Sequence, residues 1–455
     1  MRIASYITWF SEVDKEDVAL VGGKGAALGE ATRAGFSVPN GFIVTSYAYY
    51  DFILENNLAA KIKHLLKTVD FFNPDSLEHV SLDIRKEIIK SKISQELAYQ
   101  VNRAYRRLSG TLSDALVAVR SSSTIKDQAY APFAGQLGTF LNVKGDASVI
   151  LKIKEVWASL FSGRAIFYRH ENKLDHLRIG VAVPVQKMIE SEKSGVMFTI
   201  DPVTGDKTTI VIEAIYGLGE LIAQGEVTRD HYKVNKIKDL IIEKNIVSQK
   251  FYLKKVGIKN KIIKVASVKA EKQKISNDKI LELARIGKKL EKHYYFPQDV
   301  EWAIEKGKIY IIKIRPVTTV KSARFNPTTK LGARVQGVSK HEVLVGGYAA
   351  SPGIASGYTK VIKNLKEINR VSIGDVLVVD QTNTDYVAAM KKAIAIVTER
   401  GGRVSHAAIA ARELGIPAIV GAEFATKILK TGIVITVNGT KGQVYKGGYL
   451  QNITV

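Results

Sequence analysis

At 455 residues the chain is too long for one ordinary core, and two or three domains are expected. It has no cysteine, which removes disulfides, thiolate metal sites and cysteine nucleophiles together, and its apolar runs are short and broken by charge, so no membrane-spanning helix is expected. The net charge of +23 comes mainly from scattered lysine, densest over 233–292; base readout favours arginine, and no zinc knuckle or ribonucleoprotein motif is present, so the field is expected to steer a small polyanion such as a nucleotide rather than nucleic acid.

The opening MRIASYITWFSEVDKEDVAL has no long apolar core and no small-residue cleavage site. It does not read as a secretory signal, and a cytoplasmic location is expected. In VALVGGKGAALGEATRAG, residues 18–21 read as the end of a strand, 22–25 as a glycine turn and the remainder as the start of a helix. Glycine lets backbone approach a ligand closely, and Lys24 could reach a phosphate there. The spacing is not that of a Walker A loop, and a plain surface turn is the competing interpretation.

SLEHVSLDIRKEIIKSKISQELAYQVNRAYRRL has the pattern of one or two amphipathic helices. LVAVR then reads as a strand ending at Arg120, followed by three serines, a threonine, Gly135, Gln136 and Thr139. Arginine, hydroxyls and a glycine loop together suit a polyphosphate cradle, against the alternative of a serine-rich surface loop.

From about residue 186, VAVPVQKMI and KTTIVIEAIYG look like strands, and KNKIIKVASVKA continues with β alternation. NDKILELARIGKKLEKHY is a helix, and QDVEWAIEKG with KIYIIKIRPV form two strands around a Lys-Gly turn. That hairpin would bring Glu301 and Arg315 near its inner ends, where a carboxylate could hold magnesium and an arginine could clamp phosphate. A cross-strand salt bridge is the simpler alternative. Residues 323–340 are polar and aperiodic, as in a linker, and 341 to about 450 form a glycine-rich β/α unit.

Within that unit lies ERGGRVSHAAIAARELGIPAIVGA, residues 399–422. His406 follows a glycine turn and begins an alanine-rich helix. The positive end of a helix favours a neutral imidazole, and a neutral imidazole nitrogen can accept a phosphoryl group. Helix amides and Arg403 could then stabilise the added charge. A buried structural histidine is the alternative.

Taken together, GGKGAALGEATRAGFSVPNGF, AVRSSST…FAGQLGTFLNV, VQKMIESEKSGVMFTIDP, YGLGE, VEW…IRP and TERGGRVSHAAIAARELGIPAIVG resemble the phosphoenolpyruvate synthase and pyruvate phosphate dikinase family, in that family's order and over nearly the whole chain. The resemblance implies a multidomain α+β or α/β protein. An ATP-grasp nucleotide-binding region (1–185 and 186–322) and a linker (323–340) would be followed by a swivelling phosphohistidine domain (341–455). It implies an ATP- and Mg2+-dependent phosphotransferase, most closely of the pyruvate, water dikinase type. By position, Lys24 and Arg120 would hold ATP phosphates, Gly135 and Thr139 would line the phosphate loop, and Gln186 and Met188 would form the adenine hinge. Glu301 would bind the metal, Lys313 and Arg315 would face the nucleotide, and His406 would be phosphorylated with support from Arg403 and Ser405.

The chain departs from the family pattern in several places. Lys313 stands where the family has glutamine, and Lys126-Asp127 where it has Glu-Asp. Val404 occupies the position of a regulatory threonine two residues before the histidine. The sequence stops before the family's phosphoenolpyruvate- or pyruvate-binding TIM barrel, so an acceptor on a separate chain is the expectation. Rifampicin phosphotransferase places a further domain where the short linker leaves no room, and glucan, water dikinases carry the two modules in the opposite order. A non-catalytic ATP-binding regulator, suggested by Lys313, is the alternative from another class. Neither a membrane nor nucleic acid is an expected partner.

Overall fold

The computed structural model describes residues 5–71, 73–111, 113–124, 138–224, 227–257, 259–317, 342–403 and 405–448. The chain divides into two units, one of residues 1–191, 254–261 and 302–315, the other of residues 192–253, 262–301 and 316–455. The division expected at 185/186 falls inside the strand Val181–Lys187, and the first unit also takes segments from later in the chain.

The first unit is built on a sheet ordered Ile7–Trp9, Gly41–Val44, Val181–Lys187, Val117–Arg120, Thr139–Val143, with Ser122–Ser123 also on Val181–Lys187. These pairings are antiparallel. Six of the seven residues of Val181–Lys187 are buried, as expected of a central strand covered on both faces. Helices pack over it around Trp157, whose ring lies 4.8 Å from that of Phe52. The amphipathic stretch is two helices. Pro74–Lys90 is capped by the Asn73 side chain, which accepts from the Asp75 and Ser76 amides at 3.0 and 3.3 Å. Gln95–Ser109 ends at Gly110, whose φ of 80° suits glycine.

Residues 18–21 do not form the strand end expected of them. They are the first turn of the helix Val18–Arg33, with the Val21 amide bonded to the Asp17 carbonyl at 2.9 Å. Four residues are too few for β-branching to decide the conformation. Gly22, at φ 68° and ψ 170°, breaks the helix, which resumes through Lys24. The glycine turn is thus a kink inside a helix.

In the second unit Lys193–Phe198, Thr209–Tyr216, Asp230–Asn235 and Leu240–Asn245 form an antiparallel meander. The helix Asn277–Tyr294 has the bounds its sequence pattern indicates, starts at the Ser276 cap and lies on one face. Gly287 permits close packing there: a Cβ would come 2.9 Å from Met197 Sδ. The β alternation read through KNKIIKVASVKA stops at Lys264, and Ser267–Ala270 is a short helix.

The same unit contains an eight-stranded sheet, ordered Val343–Gly346, Gln443–Lys446, Val434–Asn438, Ile354–Ile362, Val376–Val379, Ala395–Thr398, Ala418–Val420, Tyr348–Ser351. From Ile354–Ile362 to Ala418–Val420 the strands are parallel. VLVV and AIVT are buried throughout, because apolar clusters cover both faces. The loops after Val379 and Thr398 therefore emerge side by side at the carboxyl edge, where open α/β sheets bind ligands. No helix among the described residues is long and apolar enough to cross a membrane.

Candidate functional site

In the first unit the glycine kink is fastened to the serine-rich strand end. Lys24 Nζ donates to the Ser121 carbonyl at 2.8 Å, and the Gly25 amide donates to Ser122 Oγ at 3.1 Å. A Cβ on Gly22 would fall 2.3 Å from both Ser122 oxygens, so the approach requires glycine. Arg120 sits opposite Thr139 in the strand register, and the Ser121 amide donates to Gly138 O at 3.1 Å. Lys24, Arg120 and Thr139 are thus brought to one region. Gly135 and the Lys126-Asp127 pair lie outside the described residues.

Arg120 Nη1 donates to Gln186 Oε1 at 3.2 Å and to the Ile312 carbonyl at 3.1 Å. It thereby joins the expected hinge strand to the strand Lys308–Pro316, on which Lys313 and Arg315 share a face by the two-residue period. Gln186 is 2% exposed, and its Nε2 has no hydrogen-bond partner among the described residues. A buried amide donor in that state is costly unless a ligand acceptor meets it. The Met188 amide already bonds to Leu116 O at 2.8 Å, so Met188 has its carbonyl and side chain to offer a base. Beside it opens a cavity of about 460 Å³ whose lining includes Leu116, Lys144, Lys187, Met188 and Lys255. That is within the size range of small-molecule sites, and the lining also includes the carboxylate of Asp114.

In the second unit Glu301 is partly buried on Gln298–Glu305. Among the described residues no cluster of three acidic or histidine side chains could cage a metal. A single carboxylate suits Mg2+ held jointly by protein, phosphates and water.

His406 opens the helix His406–Leu414 at the carboxyl edge of the parallel strands. Ser405 is the N-cap and accepts from the Ala408 amide at 3.4 Å, and its own amide donates to Gly402 O at 2.8 Å. Ser405 is therefore occupied in shaping the helix start. Thr382 was not among the residues singled out from sequence, yet its Oγ1 lies 3.0 Å from His406 Nδ1. It follows the neighbouring strand Val376–Val379, and no spacing in the sequence announces that meeting. Arg412 ties the histidine loop down, donating to Arg403 O at 2.7 Å and Ala350 O at 2.8 Å.

Arg403 donates from Nε to Ala349 O at 3.1 Å and from Nη1 to His231 Nδ1 at 2.8 Å, with Glu213 Oε1 at 3.9 Å. Burial, then the cations Arg403, Lys233 and Arg229, pull the His231 pKa down to about 2, so the ring is neutral and can accept from Arg403.

The family model for the pyruvate phosphate dikinase AMP/ATP-binding domain matches residues 18–333, and that for the mobile domain of PEP-utilising enzymes matches 371–442. A probable phosphoenolpyruvate synthase of Archaeoglobus fulgidus is 46% identical over 442 residues, covering 97% of this chain and 58% of its own. The phosphoenolpyruvate synthase of Pyrococcus furiosus is 42% identical, covering 97% and 59%. A probable phosphoenolpyruvate synthase of Methanothermobacter thermautotrophicus is 39% identical, covering 99% and 65%. The chain therefore spans roughly three-fifths of the length of these relatives. With the nucleotide-binding model covering the greater part of the sequence and the mobile-domain model following it, the chain belongs to the pyruvate phosphate dikinase and phosphoenolpyruvate synthase family.

Proposed function

We propose that this chain carries the nucleotide-binding and phosphohistidine steps of a pyruvate, water dikinase. ATP, pyruvate and water would yield AMP, phosphoenolpyruvate and phosphate. The observation that carries the proposal is the setting of His406: a helix N-terminus, a serine cap, and a threonine hydroxyl on Nδ1. If Nδ1 holds the proton and donates it to Thr382 Oγ1, the lone pair sits on Nε2, the nitrogen able to attack phosphorus. The helix amides then face the incoming negative charge.

In this proposal residues 1–185 and 186–322 bind ATP in the ATP-grasp manner, and 341–455 carry the histidine across on the linker 323–340. Lys24, Arg120, Thr139 and Gly135 hold phosphate oxygens, and Arg315 clamps them. The buried Gln186 amide and the Met188 carbonyl meet the adenine, which accounts for the unsatisfied Nε2. Glu301 contributes one carboxylate to Mg2+, which would neutralise phosphate charge when bound. Pyruvate would be bound outside the nucleotide-binding and histidine-bearing segments. Use of ATP is what favours a cytoplasmic location.

Lys313 supports a second interpretation, a nucleotide-binding subunit without phosphotransfer, because a protonated lysine cannot ligate magnesium. Lys313→Gln separates the cases. Labelling should rise if the lysine impairs metal binding and fall if it has become a phosphate ligand. An unchanged rate would mean that position 313 touches neither metal nor nucleotide.

The main proposal is tested with Mg2+ and ATP labelled at the β phosphate. Acid-labile label should appear on the protein and vanish in His406→Ala while ATP still binds. ATP binding with no label on the parent would favour the regulatory subunit.

A further inference from the structure

The strand Thr209–Tyr216 is buried along its whole length yet carries a carboxylate, Glu213, 2% exposed. Its cross-strand partner is His231, 4% exposed, and Arg229, 3% exposed, lies just before that second strand. Met197 packs towards the helix Asn277–Tyr294, while Val196 is the register partner of Glu213, so Glu213 lies on the sheet face away from that helix. There Arg403 Nη1 reaches His231 Nδ1 at 2.8 Å and approaches Glu213 Oε1 at 3.9 Å. The backbone at Gly402 lies against the Arg229 guanidinium, where a Cβ would come within 0.8 Å of Nη2.

Two features make this contact costly to keep. Two arginines share one carboxylate, since Lys233 is matched separately by Asp201 at 3.4 Å and Glu243 at 3.1 Å. Arg229 Nη1 and Glu213 Oε2 are also buried 3.2 Å apart without completing a hydrogen bond. Buried ions with incomplete hydrogen bonding repay little of their desolvation cost.

We infer that the sheet face bearing Glu213, Arg229 and His231 is a docking surface for the histidine loop in its unphosphorylated form, with Arg403 changing partner when His406 is phosphorylated. This rests on the proposal that His406 carries a phosphoryl group. A phosphoryl group near −2 in charge, three residues away, offers Arg403 a charge-assisted and potentially bidentate bond. In the docked state it has a neutral imidazole and a carboxylate already paired with Arg229. The loop leaves Glu213 and His231 as the phosphoryl group arrives, so the sheet holds the empty carrier and releases the loaded one. Gly402 is small because Arg229 occupies the space its side chain would need.

The native chain has no cysteine, so two introduced cysteines can be spin-labelled without background. Ile242→Cys and Tyr358→Cys, at positions 56% and 55% exposed, report the distance between the meander and the histidine-bearing sheet by double electron–electron resonance. Without phosphate one narrow distance is expected. Arg403→Ala and Glu213→Gln should each lower the docked-to-undocked ratio about tenfold, equivalent to about 1.4 kcal/mol. Gly402→Ala should do the same, and adding Arg229→Ala should recover part of the narrow population, which controls for misfolding.

Phosphoramidate then phosphorylates His406 without ATP. Its N–P bond breaks, the imidazole N–P bond forms, and ammonia departs with the proton. The distance distribution should broaden in the parent and stay narrow in His406→Ala. A narrow distribution in protein shown by 31P NMR to carry phosphohistidine at 406 would overturn the inference, as would broadening that persists in His406→Ala. Because ATP is not used, failure of ATP to label His406 would refute the proposed function and leave this test unaffected.

Discussion

Replacing Thr382 with valine removes the hydroxyl 3.0 Å from His406 Nδ1 while keeping the side-chain shape. The contact is partly buried, so its net worth lies at about 0.5–1.5 kcal/mol. In the proposed reaction it holds the ring in the tautomer that exposes the Nε2 lone pair, so the loss should fall on the transfer step. The first-order labelling rate should drop about two- to thirteenfold, with ATP affinity unchanged. Rapid-quench measurement of acid-labile label at saturating ATP reads this directly. Thr382→Ser keeps an oxygen at the same atom and should recover most of the rate. Labelling of the valine variant at the parent rate, or a serine variant as slow as valine, would refute the positioning role.

Lys24→Ala and Arg120→Ala should each weaken nucleotide binding by about 1.5–3 kcal/mol, read by calorimetry, as expected for a lost charged hydrogen bond; parent-like affinity in both would misplace the cradle. Gly22→Ala should lower the melting temperature, because φ 68° with ψ 170° is a backbone region essentially reserved for glycine, costing about 1–3 kcal/mol alone, and the new Cβ meets Ser122. Gly23→Ala, with nothing within 4 Å of its Cβ, is the control expected to melt like the parent. His176 accepts from Arg169 Nε at 3.0 Å, and burial followed by the Arg169 charge lowers its pKa to about 4. A depressed folded pKa gives stability that is complete above the unfolded value of about 6.5 and lost as pH falls towards 4. The melting temperature of the parent should therefore fall faster over that window than that of His176→Gln, and parallel curves would contradict the assignment.

Where local pattern and burial agree, the fold was legible. The apolar residues at helical spacing in NDKILELARIGKKLEKHY mark Asn277–Tyr294, which the structure starts at the Ser276 cap. The alanine-rich run after the glycine turn marks the His406 helix, which the structure caps with Ser405 and ends at Gly415, φ 69°. Arg120 was recognisable because a short apolar strand ends on it before a run of hydroxyls. What was hidden depends on neighbours distant in sequence. Thr382 meets His406 only because Val376–Val379 and Ala395–Thr398 run parallel and adjacent. Residues 18–21 become helical because the Asp17 carbonyl accepts their first bonds and Gly22 bends the chain before a strand could pair. Glu213, His231 and Arg229 gather through strand register, although a carboxylate in the apolar run IVIEAIY was a signal that could have been followed.

The central claim is that Nε2 of His406 receives phosphate from ATP. Its most direct test is 31P NMR of protein incubated with Mg2+ and ATP, joined to peptide mapping of the modified residue. One phosphohistidine is expected at position 406, substituted on Nε2, absent from His406→Ala and formed more slowly in Thr382→Val. Phosphate on Nδ1, on another residue, or on no residue of a protein that binds ATP would contradict that claim.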